Sequence, residues 1–242
     1  MKQFRLLGMA LLALVMSVGF VACSSSDDDD NNGGGNSTKK LTKVISYGEG
    51  KEYAEIFSYD TNGKLKSYND GDDTYTFNWA DDKVSITCSD GTSGTCYLLN
   101  NLVRNSTFYN TKYSYNDNNK LTNIKNQYST YSYKWEGDKI TECENKIYSY
   151  SGKTCKGFNP VIWESDIFYG NDWFFACPEL LGAKSNQLPD GFKYKDGNDK
   201  EAKITYTFDS EGYVTEFTIQ FYINGEPSTS QYDTWKYKLT WK

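Results

Sequence analysis

The chain has 242 residues, and its 26 Lys and Arg are outnumbered by 32 Asp and Glu, for a net charge of −6. With no basic stripe to release counterions from phosphates, that balance argues against a nucleic-acid partner. There is no histidine, which excludes any imidazole base or ligand, and with it the common triads and most zinc sites. Mean hydropathy is −0.72, yet 17% of residues are aromatic, so the buried apolar area must come mainly from Tyr, Phe and Trp.

The first 22 residues read as an export signal. Lys2 and Arg5 are followed by an apolar run from Leu6 to Phe20, shorter than the roughly 20 residues of a membrane-spanning helix. Val21-Ala22-Cys23 closes the run and resembles the lipobox of bacterial lipoproteins. That resemblance implies cleavage before Cys23, a covalent lipid on its thiol, and a membrane as the first partner. Residues 24–40, SSSDDDDNNGGGNSTKK, contain no apolar side chain and read with Cys23 as a disordered acidic and Gly-rich tether. Asp27 to Asp30 resemble the surface-export signal of Bacteroidetes lipoproteins, which implies an outer-membrane protein facing the cell exterior. Two or more acyl chains hold a protein stably on a bilayer.

The remaining 41–242 read as one β-meander domain. YTFNWADDK at 75–83 returns as YSYKWEGDK at 131–139, an offset of 56 residues. The same offset relates Tyr59 to Tyr115, Lys64 to Lys120, Leu65 to Leu121 and Val84 to Ile140, which indicates an internal duplication. The repeats run over about 47–102 and 103–158, with a looser third copy in 200–242. Asp60 to Gly63, Asn116 to Asn119 and Asp209 to Gly212 are turn chemistry. Between the turns the apolar period is two, which predicts strands with one buried and one wet face. Tyr75, Phe77 and Trp79 are thereby expected on the inner face of a curved sheet.

Residues 158–192 break the rhythm with prolines, glycines and irregular apolar spacing. They are expected to form an irregular, short-helical insertion. Pro178-Glu179-Leu180-Leu181 would open a turn of helix that Gly182 ends. Trp163, Phe168, Trp173, Phe174 and Leu180 are expected to pack against the aromatic face. With Cys23 assigned to lipid, five cysteines remain. Cys88 and Cys96 flank SDGTSGT, which suggests a disulfide across a hairpin, and Cys143, Cys155 and Cys177 leave a second pairing open.

No catalytic residue is expected, and beyond the lipid neither is a metal or a cofactor. Asp70-Gly71-Asp72-Asp73 and Asp196-Gly197-Asn198-Asp199 read as turns without the spacing of an EF-hand loop. A glycoside hydrolase using two carboxylates is a distant alternative. Surface Tyr and Trp can stack on sugar rings, and Trp163, Tyr169, Trp173 and Tyr222 lie outside the strict alternation.

The lipobox, the hairpin YDTNGKL at 59–65 and SNQLP at 185–189 together resemble secreted Bacteroidetes lipoproteins of unknown function with a porin-like fold. The hairpins also resemble tyrosine-aspartate repeats of toxin-delivery shells, though two or three copies are too few for a shell. Neither resemblance supplies catalytic residues. The expectation is an all-β, curved antiparallel β-meander or partial barrel, on a surface lipoprotein that binds or scaffolds an envelope or extracellular component, such as an envelope protein. The alternative is a glycan-binding module that takes extracellular polysaccharide.

Overall fold

The computed structural model describes residues 39–48, 51–157, 159, 172–182, 184–196, 200–230 and 233–242. Cys23 and residues 24–38 of the expected tether lie outside them, whereas Lys39 and Lys40, also expected in the tether, are bonded to the barrel. Among the described residues the regular structure is almost entirely strand: β1 (Leu41–Gly48), β2 (Lys51–Tyr59), β3 (Leu65–Asn69), β4 (Thr74–Trp79), β5 (Lys83–Cys88) and β6 (Ser93–Leu99). There follow β7 (Leu102–Ser106), β8 (Thr111–Tyr115), β9 (Leu121–Lys125), β10 (Thr130–Glu136), β11 (Lys139–Cys143) and β12 (Lys146–Ser149). The last are β13 (Gly191–Tyr194), β14 (Lys200–Phe208), β15 (Val214–Ile223), the two-residue β16 (Glu226–Pro227) and β17 (Thr234–Trp241).

Each strand pairs antiparallel with the next, β15 pairs with β17 past the short β16, and β17 pairs with β1. The meander therefore closes into a barrel of 16 strands, with β16 an appendage on β15. Closure removes the open edges on which an antiparallel sheet would otherwise aggregate. The seam is long, from Leu41 opposite Trp241 to Tyr47 opposite Lys236. Reciprocal backbone bonds between Lys40 and Lys242 extend it by one more pair, at one rim of the barrel. This is called the near rim below.

The period-two alternation sets which face points in. Phe57, Tyr68, Phe77, Val84, Ile86, Tyr113, Ile124, Tyr131, Tyr133, Phe217 and Ile219 are buried in one continuous core. Tyr75, Trp79 and Trp135 pack on it half-buried. Phe57, Tyr68 and Tyr75 stack in a cross-strand ladder with ring centroids 5.2 and 5.5 Å apart. The outward positions of the same strands are Ser, Thr, Asn, Lys and Glu, as in Ser58, Ser67, Thr76, Asn78, Ser85 and Thr87. Exposed apolar residues such as Ile56, Leu99 and Ile147 are scattered. A membrane-spanning barrel needs the reverse, an apolar outer band and a polar lumen.

Barrels of this strand number leave an aqueous channel unless something fills it. Here the 158–192 insertion supplies filling. Its described part forms two 3-10 turns, Asp172–Ala176 and Pro178–Leu181, the second ended by Gly182 at φ 85° as the sequence suggests. Trp173, Phe174, Leu180, Leu181 and Leu188 are all buried. Trp173 packs on Phe77 at 5.1 Å, and Phe174 meets Tyr113 edge-on at 5.7 Å. The segment is tied to the barrel by Tyr115 Oη donating to Leu180 O (3.2 Å), Tyr206 Oη donating to Pro189 O (2.8 Å) and Leu188 N donating to Lys153 O (2.8 Å). Trp163 and Phe168 lie outside the described residues.

The duplication appears as one repeated latch at the near rim. Asp60 Oδ1 accepts from the amides of Asn62 and Lys64, Asn116 Oδ1 from Asn118 and Lys120, and Asp209 Oδ1 from Glu211 and Tyr213. The fourth loop position is left-handed each time: Gly63 at φ 74°, Asn119 at 57° and Gly212 at 90°. An indole then closes each loop. Trp79 Nε1 donates to Leu65 O (2.7 Å), Trp135 Nε1 to Leu121 O (2.8 Å) and Trp241 Nε1 to Val214 O (2.7 Å). In the first two copies a lysine ammonium caps the indole, Lys64 at 5.6 Å and Lys120 at 5.3 Å.

Trp135→Phe retains an aromatic ring but removes the indole N–H that bonds the Leu121 carbonyl, so it is expected to lower stability by about 1–3 kcal/mol. Trp173→Ala opens a cavity in the plug and is expected to cost about 3–5 kcal/mol. Urea midpoints of both variants check this, and a Trp173→Ala midpoint equal to wild type would show that the plug does not fill the lumen.

Candidate functional site: the exposed aromatics of the far rim

The four aromatics singled out by their position outside the alternation divide. Trp163 and Tyr169 lie outside the described residues. Trp173 is only 1% exposed, stacked on Phe174 at 4.0 Å, so it belongs to the plug and cannot stack on a ligand. Its irregular spacing reflects a filling role, since a 3-10 turn inside a lumen buries side chains in several directions. Tyr222 points outward from β15 half-buried, and Lys203 Nζ already sits 4.1 Å from its ring centroid. One face of that ring is taken.

The expected Cys88–Cys96 bridge is also corrected. The β5–β6 register places Thr87 opposite Ser93 and Val84 opposite Cys96. Cys96 is therefore four positions from Cys88 along the ladder, about 13 Å at 3.3 Å per residue, beyond the span of a disulfide. Both are buried thiols. Cys143, Cys155 and Cys177 are buried as well. Burial pushes the Cys96 thiol up to about 11 and Cys155 up to about 12, and raises Cys177 well above the usual thiol value.

The acidic residues do turn work. Asp70 Oδ1 accepts from the amides of Asp72 (3.0 Å) and Asp73 (2.7 Å). Asp73, Cys88 and Asp90 bring their ligand atoms within 4.8 Å of one another. Within that group Asp73 accepts from Ser89 Oγ (2.6 Å), and Asp90 from the Thr92 amide and hydroxyl (2.8 and 2.7 Å). The shifted carboxyls among the described residues all move down. Asp209 falls to about 2 through the hydrogen bond from Lys39 and then the Tyr213 amide. Asp90 is lowered by the Thr92 amide and hydroxyl, and Glu142 by Lys134 and Lys195. At Asp190 burial pushes up, but bonds from Lys153 and Ser151 outweigh it. A general acid needs the opposite shift.

What the fold leaves without a packing role are aromatics at the far rim, the end opposite Lys39 and Lys242. Tyr109, in the β7–β8 loop, is 44% exposed and Tyr128, in the β9–β10 loop, is 75% exposed. Their ring centroids lie 6.2 Å apart at 58°. Tyr109 is held at φ 52°, ψ 20°, a left-handed conformation costing a bulky residue on the order of 1–3 kcal/mol. Its neighbour explains the flip. Phe108 lies flat on Gly94, where any Cβ would come within 2.2 Å of the ring, and so Tyr109 is turned outward. Asn126 presents Tyr128 by accepting from the Tyr128 and Ser129 amides. Tyr53 and Trp235 occupy inward register positions at the same rim and remain 50% and 44% exposed. Their signal in the sequence is position: Tyr109 and Tyr128 stand in short polar runs, STFYN and NQYST, between strands.

No family model matches the chain, and no curated protein matches it. Solved structures do. The crystal structure of a porin-like protein from Bacteroides uniformis aligns at TM-score 0.64 and 18% identity, over 85% of this chain and 98% of that one. A porin-like protein from Bacteroides vulgatus aligns at TM-score 0.60 and 15% identity, over 84% and 99%. This chain shares their fold. The porin-like shape comes here with inverted polarity, apolar inside and polar outside.

Iodoacetamide at pH 8 is expected to leave Cys96, Cys155 and Cys177 unmodified in the folded protein, because each thiol stays protonated and covered. In denaturant without reductant Cys88 and Cys96 should both be alkylated. Mass spectrometry that finds them blocked until reductant is added would restore the disulfide.

Proposed function

We propose that the protein is a lipid-anchored surface protein whose barrel is a non-catalytic binding module for an extracellular component. The observation that carries this reading is the inverted polarity of the barrel. A wall of Ser, Thr, Asn and Lys offers no lipid-facing band, so membrane attachment falls to the acyl chains on Cys23. Fifteen residues lie between Cys23 and Lys39, so the two can stand about 55 Å apart at full extension.

Lys39 is where that tether meets the barrel. Its ammonium pairs with Asp209 at 2.8 Å and Glu211 at 2.6 Å, and its amide donates to Tyr213 Oη at 3.1 Å. The hydrogen bonds to Asp209 and then Glu211 raise the lysine to about 12. The tether is thus clamped to the near rim beside the C-terminus, and the exposed aromatics stand at the other end. Such a layout suits a module that holds its binding face away from its attachment point. The porin-like neighbours support the barrel architecture, and the absence of any upward-shifted carboxyl among the described residues favours binding over hydrolysis.

Cys23→Ala is expected to move the protein from the membrane fraction to the soluble fraction, while wild type on intact cells is cleaved by added protease. Retention of the variant in membranes would contradict the anchor, and protection of wild type from protease would contradict surface display. The clamp itself is acid-sensitive. Asp209 is depressed when folded, so its contribution is present above its unfolded value near 4 and lost as pH falls toward 2. Asp209→Asn should abolish that part of the acid dependence in thermal melts at pH 2 to 5.

A further inference from the structure

Cationic charge is unevenly distributed around the barrel. On β10, β13 and β17 the lysines are matched with acids: Lys134 with Glu142 (2.8 Å), Lys193 with Glu201 (3.0 Å) and Lys236 with Glu216 (2.9 Å). The five consecutive strands β5 to β9 contain Lys83, Arg104, Lys112 and Lys125 and no Asp or Glu. This is an acid-free wall in a chain of net charge −6.

Register turns that composition into a line. Lys83 pairs with Tyr97, Tyr97 with Asn105, Asn105 with Lys112, Lys112 with Lys125, and Lys125 with Thr130. Their neighbours Val84, Cys96, Ser106, Thr111, Ile124 and Tyr131 are buried, so all six point outward, and all six are exposed. Five steps between strands make a row about 24 Å long, perpendicular to the strands. Lys112 and Lys125 stand directly opposite each other, an arrangement that destabilises the sheet unless something negative lies between or above them. Tyr97 is 46% exposed in the row, and the Tyr109–Tyr128 pair stands in the loops just above Lys112 and Lys125.

We propose that this row binds an acidic polysaccharide, a carboxylated or sulfated glycan lying across β5 to β10. The proposal deepens the binding-module reading and rests on it. Lys83, Lys112 and Lys125 meet the ligand's anionic groups, Tyr97 stacks on the apolar face of a sugar ring, and Asn105 and Thr130 supply hydrogen bonds to hydroxyls. Tyr109 and Tyr128 extend the contact at the rim. Three lysines over about 24 Å match a polymer of widely spaced charges, whereas duplex DNA carries one per about 1.7 Å and draws much denser cationic contacts.

The test is affinity electrophoresis of the full chain through gels containing polygalacturonate, neutral dextran or single-stranded DNA. Polygalacturonate is expected to retard wild type and dextran is not. The double variant Lys112→Gln/Lys125→Gln should weaken retardation about tenfold and flatten its salt dependence. Tyr97→Ala should weaken it without changing the salt slope. Lys236→Gln, whose ammonium is already paired with Glu216, should behave as wild type. Urea midpoints no lower than wild type confirm that the variants fold, with the double variant expected slightly above it because the opposed Lys112–Lys125 pair is removed. Equal retardation by dextran, by DNA, or in the double variant overturns the proposal, as does no retardation by polygalacturonate. None of these results touches the fractionation and protease outcomes, which decide the parent reading separately.

Discussion

A ring of sixteen strands has a lumen that must be filled, and the alternation of large aromatics with small polar residues makes that possible. Every inward position that carries Tyr, Phe or Trp removes apolar area from water and narrows the space left inside. What remains is taken by a segment of the chain itself, through Trp173, Phe174, Leu180 and Leu188. Without that filling, water would stand against an apolar lining, and closure would have little to stabilise it. The polar exterior follows from the same alternation, because a strand that puts aromatics in must put the intervening Ser, Thr and Lys out. A porin's outline is thus reached with a porin's polarity reversed.

Order at the near rim depends on a second, local device. The Asx loop fixes the turn, its left-handed fourth position is met by Gly or Asn, and an indole from the next hairpin closes the loop from the side. Three copies hold the rim at which Lys40 meets Lys242. Among the described far-rim loops, those after β7 and β9 carry exposed Tyr109 and Tyr128 in place of a closing indole. One end of the barrel is built for closure and the other leaves its aromatics to solvent, which is the asymmetry a tethered binding protein requires.

Much of this was legible in the sequence. The 56-residue offset marks the first two copies of the turn and of its tryptophan, and period-two alternation puts Tyr75, Phe77 and Trp79 inward, where they pack. The third copy looked loose because its indole, Trp241, comes 27 residues after Val214, with β16 intervening. Closure was not legible, since β1 and β17 pair from opposite ends of the chain and LTKVISYG carries little alternation. The Cys88–Cys96 expectation failed on register: a turn between them says nothing about which positions face each other. The basic row was invisible for the same reason, its members being dispersed from Lys83 to Thr130 and aligned only by the ladder.

The central claim is a closed barrel stabilised by its own plug, and hydrogen exchange tests it most directly. Exchange followed by mass spectrometry on peptides from β1, β17 and residues 172–189 reports the seam and the filling together. The account predicts that amides of all three exchange slowly and in the same stability class as β14 and β15, because seam and plug open only when the barrel does. Rapid exchange of β1 and β17 would contradict closure, and rapid exchange of 172–189 beside a protected wall would contradict the plug.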